Sequence, residues 1–198
     1  MSGRMIVIEG LDGVGKTTLS KGLAAAMGAT WLTTPSEELR AFREPFDRAY
    51  QDDPECSQLF YAASVLAVGR EAERRRMVGD VIVDRYWSST CAYAASRGSR
   101  LELGEVERLL PAADLTIVVE LDEEERWRRL CNRGYSRMDV WSMGETGRRI
   151  GRGLRVEGRW AGVVRRLAVD GLDADQAVQR ALWWVETLGS PRLFSRAA

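Results

Sequence analysis

The sequence predicts an α/β fold: a five-stranded parallel sheet flanked by helices. Three observations point that way. Apolar runs alternate with segments of helical periodicity from end to end. The first run, Met5-Ile6-Val7-Ile8, ends at Glu9-Gly10 and leads through a Gly-rich turn into a Leu- and Ala-rich helix. The length of 198 residues suits one globular domain, taken here as 1–198.

The elements follow in order. Met5–Ile8 reads as a buried strand, and Thr18 to Met27 as a helix ending near Gly28. Trp31-Leu32-Thr33 is a second strand stopped by Pro35. Helices are expected over 36–44 and 57–78, the latter apolar from Leu59 to Val68 and charged from Arg70 onward. Gly79-Asp80 breaks it, and Val81-Ile82-Val83 forms a third strand ending in Asp84. Two helices fit 87–97 and 103–110, Leu115 to Leu121 is a fourth strand, and a charged helix spans about 122–133. A Gly/Arg-rich stretch runs to about 150; then come a helix over 151–165, a last strand at Leu167-Ala168-Val169 and a closing helix over 173–187. No repeat or linker interrupts the chain.

Composition narrows the chemistry. Apolar residues make up 45% and charged residues 29%, with 29 basic against 29 acidic side chains. That balance argues against a broad nucleic-acid-coating surface. No apolar run is long enough for a membrane helix, and the start leaves no room for a signal peptide, so a cytoplasmic protein is expected. Cys56, Cys91 and Cys131 show no motif spacing, as expected of reduced thiols. With no histidine, imidazole bases, Ser-His-Asp triads and histidine metal sites are excluded. Lys16 and Lys21 are the only lysines.

Lys16 completes Gly10-Leu11-Asp12-Gly13-Val14-Gly15-Lys16-Thr17, a full GxxxxGK[ST] match followed by Thr18. Glycines let consecutive N–H groups curl toward phosphate oxygens, and the next helix aims its positive end there. Gly10, Gly13, Val14, Gly15, Lys16, Thr17 and Thr18 are therefore expected to hold the phosphates of ATP, with Lys16 on the β- and γ-phosphates and the Thr17 hydroxyl on Mg²⁺. A chance match is disfavoured by the scarcity of lysine and by the strand–turn–helix context. The loop alone does not separate kinases from GTPases or motors, although no NKxD-like base-reading segment is present.

A second constellation follows the third strand. Asp84 and Arg85 stand at its C-terminal end, the edge where ligands bind in open α/β sheets. Asp84 can hold Mg²⁺ through water, and the Arg85 fork can grip a phosphate; a strand-end ion pair is the plainer alternative.

These segments resemble the thymidylate kinase family. Residues 9–18 are similar to its phosphate loop. Asp84-Arg85-Tyr86-Trp87-Ser88-Ser89-Thr90-Cys91-Ala92-Tyr93 is similar to its DRYxxSxxAY segment. Leu59-Phe60 stands where the family places an aromatic against the base, and Arg133-Gly134-Tyr135-Ser136-Arg137 is a shorter relative of its lid. The resemblance implies Asp12 at the sugar hydroxyl, Arg85 at the acceptor monophosphate, and Tyr93 at the sugar edge. It also implies Ser89 in the acceptor segment, Arg40 as a second monophosphate arginine and Phe60 stacked on the base. Gly13 stands where some members carry an arginine, which implies reliance on lid arginines. The family's thymine-reading arginine is Ser64 here, and its Arg-Glu-Pro is Thr33-Thr34-Pro35, so the base and sugar stay open. A homodimer is compatible with the resemblance and is not visible in the sequence.

Between residues 126 and 166 twelve arginines face three acids. Phosphoryl transfer needs positive charge at the equatorial oxygens, which lid arginines can supply. Arg133 and Arg137 are the candidates, in a lid over about 133–150 hinged at Gly134; the rest are expected to form a solvated face paired with Asp122-Glu123-Glu124-Glu125. Nucleic-acid binding by this stretch is disfavoured by its sparse aromatics.

The reading is an ATP- and Mg²⁺-dependent kinase acting on a nucleoside monophosphate, dTMP or a related pyrimidine deoxynucleotide, with Lys16, Asp12, Arg85, Arg133 and Arg137 as its catalytic groups. One alternative is a kinase of a nucleoside or metabolite hydroxyl, with Glu9 or Asp12 as base. A nucleotide-binding regulator without catalysis is another.

Overall fold

The computed structural model describes residues 2–50, 52–154, 158 and 160–188, with backbone alone at 137 and 138. Five strands form one parallel sheet in the order β2-β3-β1-β4-β5: β1 Met5–Gly10, β2 Thr30–Thr33, β3 Val81–Asp84, β4 Leu115–Glu120 and β5 Val163–Ala168. Register pairs Ile8 with Asp84 and with Ile117, so the phosphate loop leaves the sheet at its centre beside the end of β3.

Alternation along β1 builds two cores, because successive side chains point to opposite faces. Ile6 and Ile8 join Leu19, Leu23, Ala181 and Val185 of α1 (Lys16–Met27) and α9 (Ala174–Glu186). Met5 and Val7 join Ala62, Val65 and Trp87 of α3 (Pro54–Arg75) and α4 (Trp87–Arg97). Both faces are covered, as a parallel sheet requires. Among the described residues no helix is long and apolar enough to cross a membrane.

The remaining helices are α2 Glu37–Ala49, α5 Gly104–Arg108, α6 Glu123–Arg133, α7 Arg137–Trp141 and α8 Gly144–Gly153. Local signals explain several ends. Asp53 accepts the Cys56 N–H at 2.8 Å and Pro54 opens α3, which starts it three residues earlier than periodicity suggests. Asp122 caps α6, whose first turn carries Glu123, Glu124 and Glu125 at the positive end of the helix. Helix α2 runs through Pro45 to Ala49, past the expected stop at 44; Phe46 stacks on Phe60 of α3 with ring centroids 4.4 Å apart, and that packing outweighs the lost backbone bond.

The expected helix over 151–165 is corrected. α8 ends at Gly153, residues 155–157 and 159 lie outside the described residues, and Val163–Ala168 pairs with β4 as the fifth strand. The β-branched Val163-Val164 pair and the open edge of β4 prevail over an amphipathic reading of the arginines. Strand β5 closes one edge of the sheet, with Val163 and Val164 among its exposed residues.

Candidate active site

The turn from β1 into α1 is built by glycine. Gly10, Gly13 and Gly15 have φ of +148°, +87° and +96°, conformations that side chains rarely adopt. At Gly13 a Cβ would also sit 2.8 Å from Leu130 Cγ. The chain thus curls tightly, and Lys16 and Thr17 open α1 with the helix's free N–H groups at the loop. Gly13, Gly15, Lys16, Thr17 and Thr18 line a cleft with Asp12, Arg85, Arg129 and Arg133. Val14 is buried in the core beneath α1, so its contribution to a bound phosphate is its backbone.

Strand β3 supplies the opposite wall. The Thr17 hydroxyl donates to Asp84 Oδ2 at 2.6 Å, while Asp84 Oδ1 is buried without a partner. A hydroxyl beside a carboxylate with one oxygen unpartnered among the described residues is the donor chemistry of a hard cation that keeps most of its waters, and it fits Mg²⁺. Arg85 then turns at φ +70°, held by its own N–H on the Ile8 carbonyl at 2.9 Å. Its guanidinium pairs with Asp12 and donates to Ser89 Oγ at 3.1 Å; the Tyr93 hydroxyl donates to the other Asp12 oxygen at 2.8 Å.

Glu9 locks this arrangement from below. It is fully buried and accepts the Tyr86 and Ser89 N–H groups and the Ser89 hydroxyl, fixing the start of α4 against β1.

Electrostatics follow from burial. Burial, then the nearby Arg85 charge, brings Lys16 down to about 8 although Asp12, Asp84 and Glu9 pull the other way. Burial would raise Asp12, but Arg85, Lys16 and the Tyr93 hydroxyl overcome it and hold the carboxyl below its usual range. Burial raises Glu9 against the opposing bonds from Ser89 and the charge of Arg85.

On the far side of Asp12 and Arg85 lies a cavity between α2, α3 and α4. Ser89 and Tyr93 line it as expected. Three expected residues do not. Arg40 is exposed, and Arg43, about one turn on, lines the cavity in its place. Phe60 stacks on Phe46, and its neighbour Tyr61 faces the cavity, as do Arg97, Gln58 and Ser57. Ser64 is fully buried with its hydroxyl on the Phe60 carbonyl at 2.9 Å. Thr34, just past the end of β2, lines the cavity with a buried hydroxyl that has no hydrogen-bond partner among the described residues.

Of the lid candidates, Arg133 lines the phosphate-loop cleft and pairs with Asp139 at 2.8 Å. Arg137 opens α7, and its side chain lies outside the described residues. Arg129, which the sequence does not single out, lines the same cleft from the face of α6 that carries Arg133. Arg128 and Arg148 pair with Glu125 and Glu123 of the acidic run, as expected, whereas Arg152 pairs with Glu145 of its own helix α8.

Known proteins share this organisation. A family model described as thymidylate kinase matches residues 8–141. The chain is 32% identical over 154 residues to a probable thymidylate kinase of Pyrococcus horikoshii, covering 68% of this chain and 73% of that protein. It is 34% identical over 162 residues to a thymidylate kinase of Synechococcus sp. (strain RCC307), covering 71% and 76%. A solved thymidylate kinase from Candida albicans superposes with a TM-score of 0.75 over 94% of this chain and 92% of that one, at 20% identity. A deoxyadenosine kinase from M. mycoides reaches 0.65 over 92% and 99%, at 15% identity, a likeness of fold. With a phosphate loop and an arginine-lined acceptor cavity meeting at Asp12 and Arg85, the chain belongs to the thymidylate kinase family of nucleoside monophosphate phosphotransferases.

Proposed function

We propose that the chain moves the γ-phosphoryl group of ATP onto the 5′-phosphate of a pyrimidine deoxynucleoside monophosphate, dTMP or a close relative. The observation that carries this is the shared wall: Asp12 and Arg85 line both the phosphate-loop cleft and the acceptor cavity, so a donor and an acceptor bound there meet between them. The names of the matched relatives support dTMP, and the lining by Arg43 and Tyr61 supports an anionic aromatic ligand.

The backbone of residues 10–17 and Lys16 hold the donor polyphosphate. Thr17 and Asp84 would hold Mg²⁺, which when bound neutralises charge on the β- and γ-phosphates. Arg85 and Arg43 grip the acceptor phosphate, while Asp12 and Tyr93 orient its sugar. Arg129 and Arg133 approach the transferring group from α6, at the start of a lid over about 133–150 of a single kinase domain. A monophosphate oxygen is already anionic, so positioning and charge carry the catalysis without a general base.

A hydroxyl acceptor would need such a base. Glu9 is fully occupied by Tyr86 and Ser89, and Asp12 is held by Arg85, which leaves neither free for that work. The resemblance further supports a cytoplasmic homodimer. The deciding experiment is ADP release with each ribo- and deoxynucleoside monophosphate and each nucleoside. Turnover is expected for a pyrimidine deoxynucleoside monophosphate and none for nucleosides; the reverse pattern overturns the reading.

A further inference from the structure

Arg126 is 1% exposed, and among the described residues no carboxylate lies within ion-pair distance of it. Its partners are neutral oxygens from two separate segments. Nη1 donates to the Asp12 carbonyl of the phosphate loop at 3.1 Å and to Ser142 Oγ at 3.4 Å, and Nη2 donates to the Ser142 carbonyl at 2.8 Å. Glycines make room on both sides. A Cβ at Gly13 would stand 3.1 Å from Arg126 Cγ; one at Gly147 would stand 3.1 Å from Nη2 and collide with the Ser142 carbonyl. Burying a cation against neutral groups is a poor way to stabilise a fold, and an apolar side chain of that size commonly serves better. What a planar fork does well is fix two carbonyl groups relative to each other.

The segments so joined matter. Three and seven residues further along α6 stand Arg129 and Arg133, which line the phosphate-loop cleft. At the other end, Ser142 begins the turn from α7 into α8. Arg126 therefore sits where the helix bearing the cleft arginines, the loop that cradles phosphate and the α7–α8 turn converge.

We propose that Arg126 is a positioning residue that fastens the phosphate loop at Asp12 to the α7–α8 turn at Ser142. It thereby sets Arg129 and Arg133 against the transferring phosphoryl group. The inference rests on the phosphotransfer reading above. It assigns Arg126 no contact with either substrate; its effect passes through the arginines of α6.

Steady-state kinetics of Arg126→Met and Arg126→Lys, with ATP and the acceptor varied separately, test it. In Arg126→Met, kcat should fall about tenfold to a hundredfold and KM for ATP should rise, with KM for the acceptor within about twofold. Arg126→Lys should recover little of this, because one ammonium cannot span two carbonyl groups as the fork does. The proposal is overturned if Arg126→Met leaves kcat and KM for ATP within twofold, if lysine restores full activity, or if the losses only track the fraction unfolded. Should Arg126→Met fail to fold, Gly147→Ala presses on the same guanidinium from α8 and should give the same split, more weakly; unchanged kinetics there overturn the proposal.

A separate readout isolates the reading on which it rests. If the unaltered chain phosphorylates no nucleoside monophosphate, that reading fails by itself. Trypsin cleavage at the arginines of α8, with and without ATP, still tests the fastening. Protection by ATP that disappears in Arg126→Met supports it, and equal protection in both proteins sinks it.

Discussion

The two sides of the phosphate loop hold their arginines in opposite ways. On the acceptor side, the Arg85 side chain is 21% exposed, bound to Asp12 and Ser89 and set by a left-handed turn that the β1 backbone stabilises. On the lid side, Arg128, Arg148 and Arg152 are more than half exposed and pair with acids on the surface of α6 and α8. Exposed pairs of this kind are weak and screened by solvent, so a phosphate can take the place of a carboxylate with little loss. A guanidinium fixed before its ligand arrives gives orientation, whereas loosely paired ones give charge that can be redirected. The Arg85 side is thus preorganised, and the exposed arginines of α6 and α8 are a reserve of positive charge, beside which the buried Arg126 is fixed by neutral oxygens.

That contrast can be broken or sharpened by measurement. The largest effect is expected at the junction itself. Lys16→Met should lower kcat roughly 100- to 1,000-fold in an ADP-release assay, because it removes the buried cation that lines the phosphate-loop cleft. Arg85→Met should lower kcat/KM for the acceptor roughly 10- to 100-fold and leave KM for ATP nearly unchanged. A loss divided evenly between the substrates would contradict the separation of the two sides.

A pH profile tests Lys16 without mutation. Its ammonium, depressed to about 8, is protonated below that pH and neutral above it, so a site that grips phosphate through the charged form weakens as pH rises. On this account kcat/KM for ATP is level below pH 7 and falls by up to about tenfold per unit above pH 8; a flat profile to pH 9.5 would refute it. The smallest effect belongs to the lid surface. Glu125→Gln, which loosens Arg128 and Arg129 together, should change kcat by less than about twofold and the melting temperature by less than about 3 °C.

How much was legible in the sequence follows the same divide. The phosphate loop and Asp84-Arg85 could be read because their chemistry depends on consecutive residues, and strands β1, β3 and β4 because burial on both faces makes most of each strand a continuous apolar run. The acceptor cavity was legible only to within a residue or a turn. Arg43 lines the cavity where Arg40 was expected, and Tyr61 where Phe60 was expected, since the rotation of a helix is set by packing such as Phe46 on Phe60, which no motif encodes. Nothing in the sequence marked Arg126 as buried, because its partners are two backbone carbonyls and a serine hydroxyl that no motif encodes. Strand β5 was misread because an edge strand lacks the double burial that identifies its neighbours.

That edge has a consequence of its own. With only β4 as a partner, β5 offers a row of backbone donors and acceptors beside two exposed valines, a template on which another chain could add a strand. Arg165 and Arg166 interrupt it, the second tied back to Glu120 of β4, and two cations in the middle of a six-residue edge discourage such stacking. Some of the surplus arginine in this chain thus stands at a sheet edge, where its charge opposes self-association.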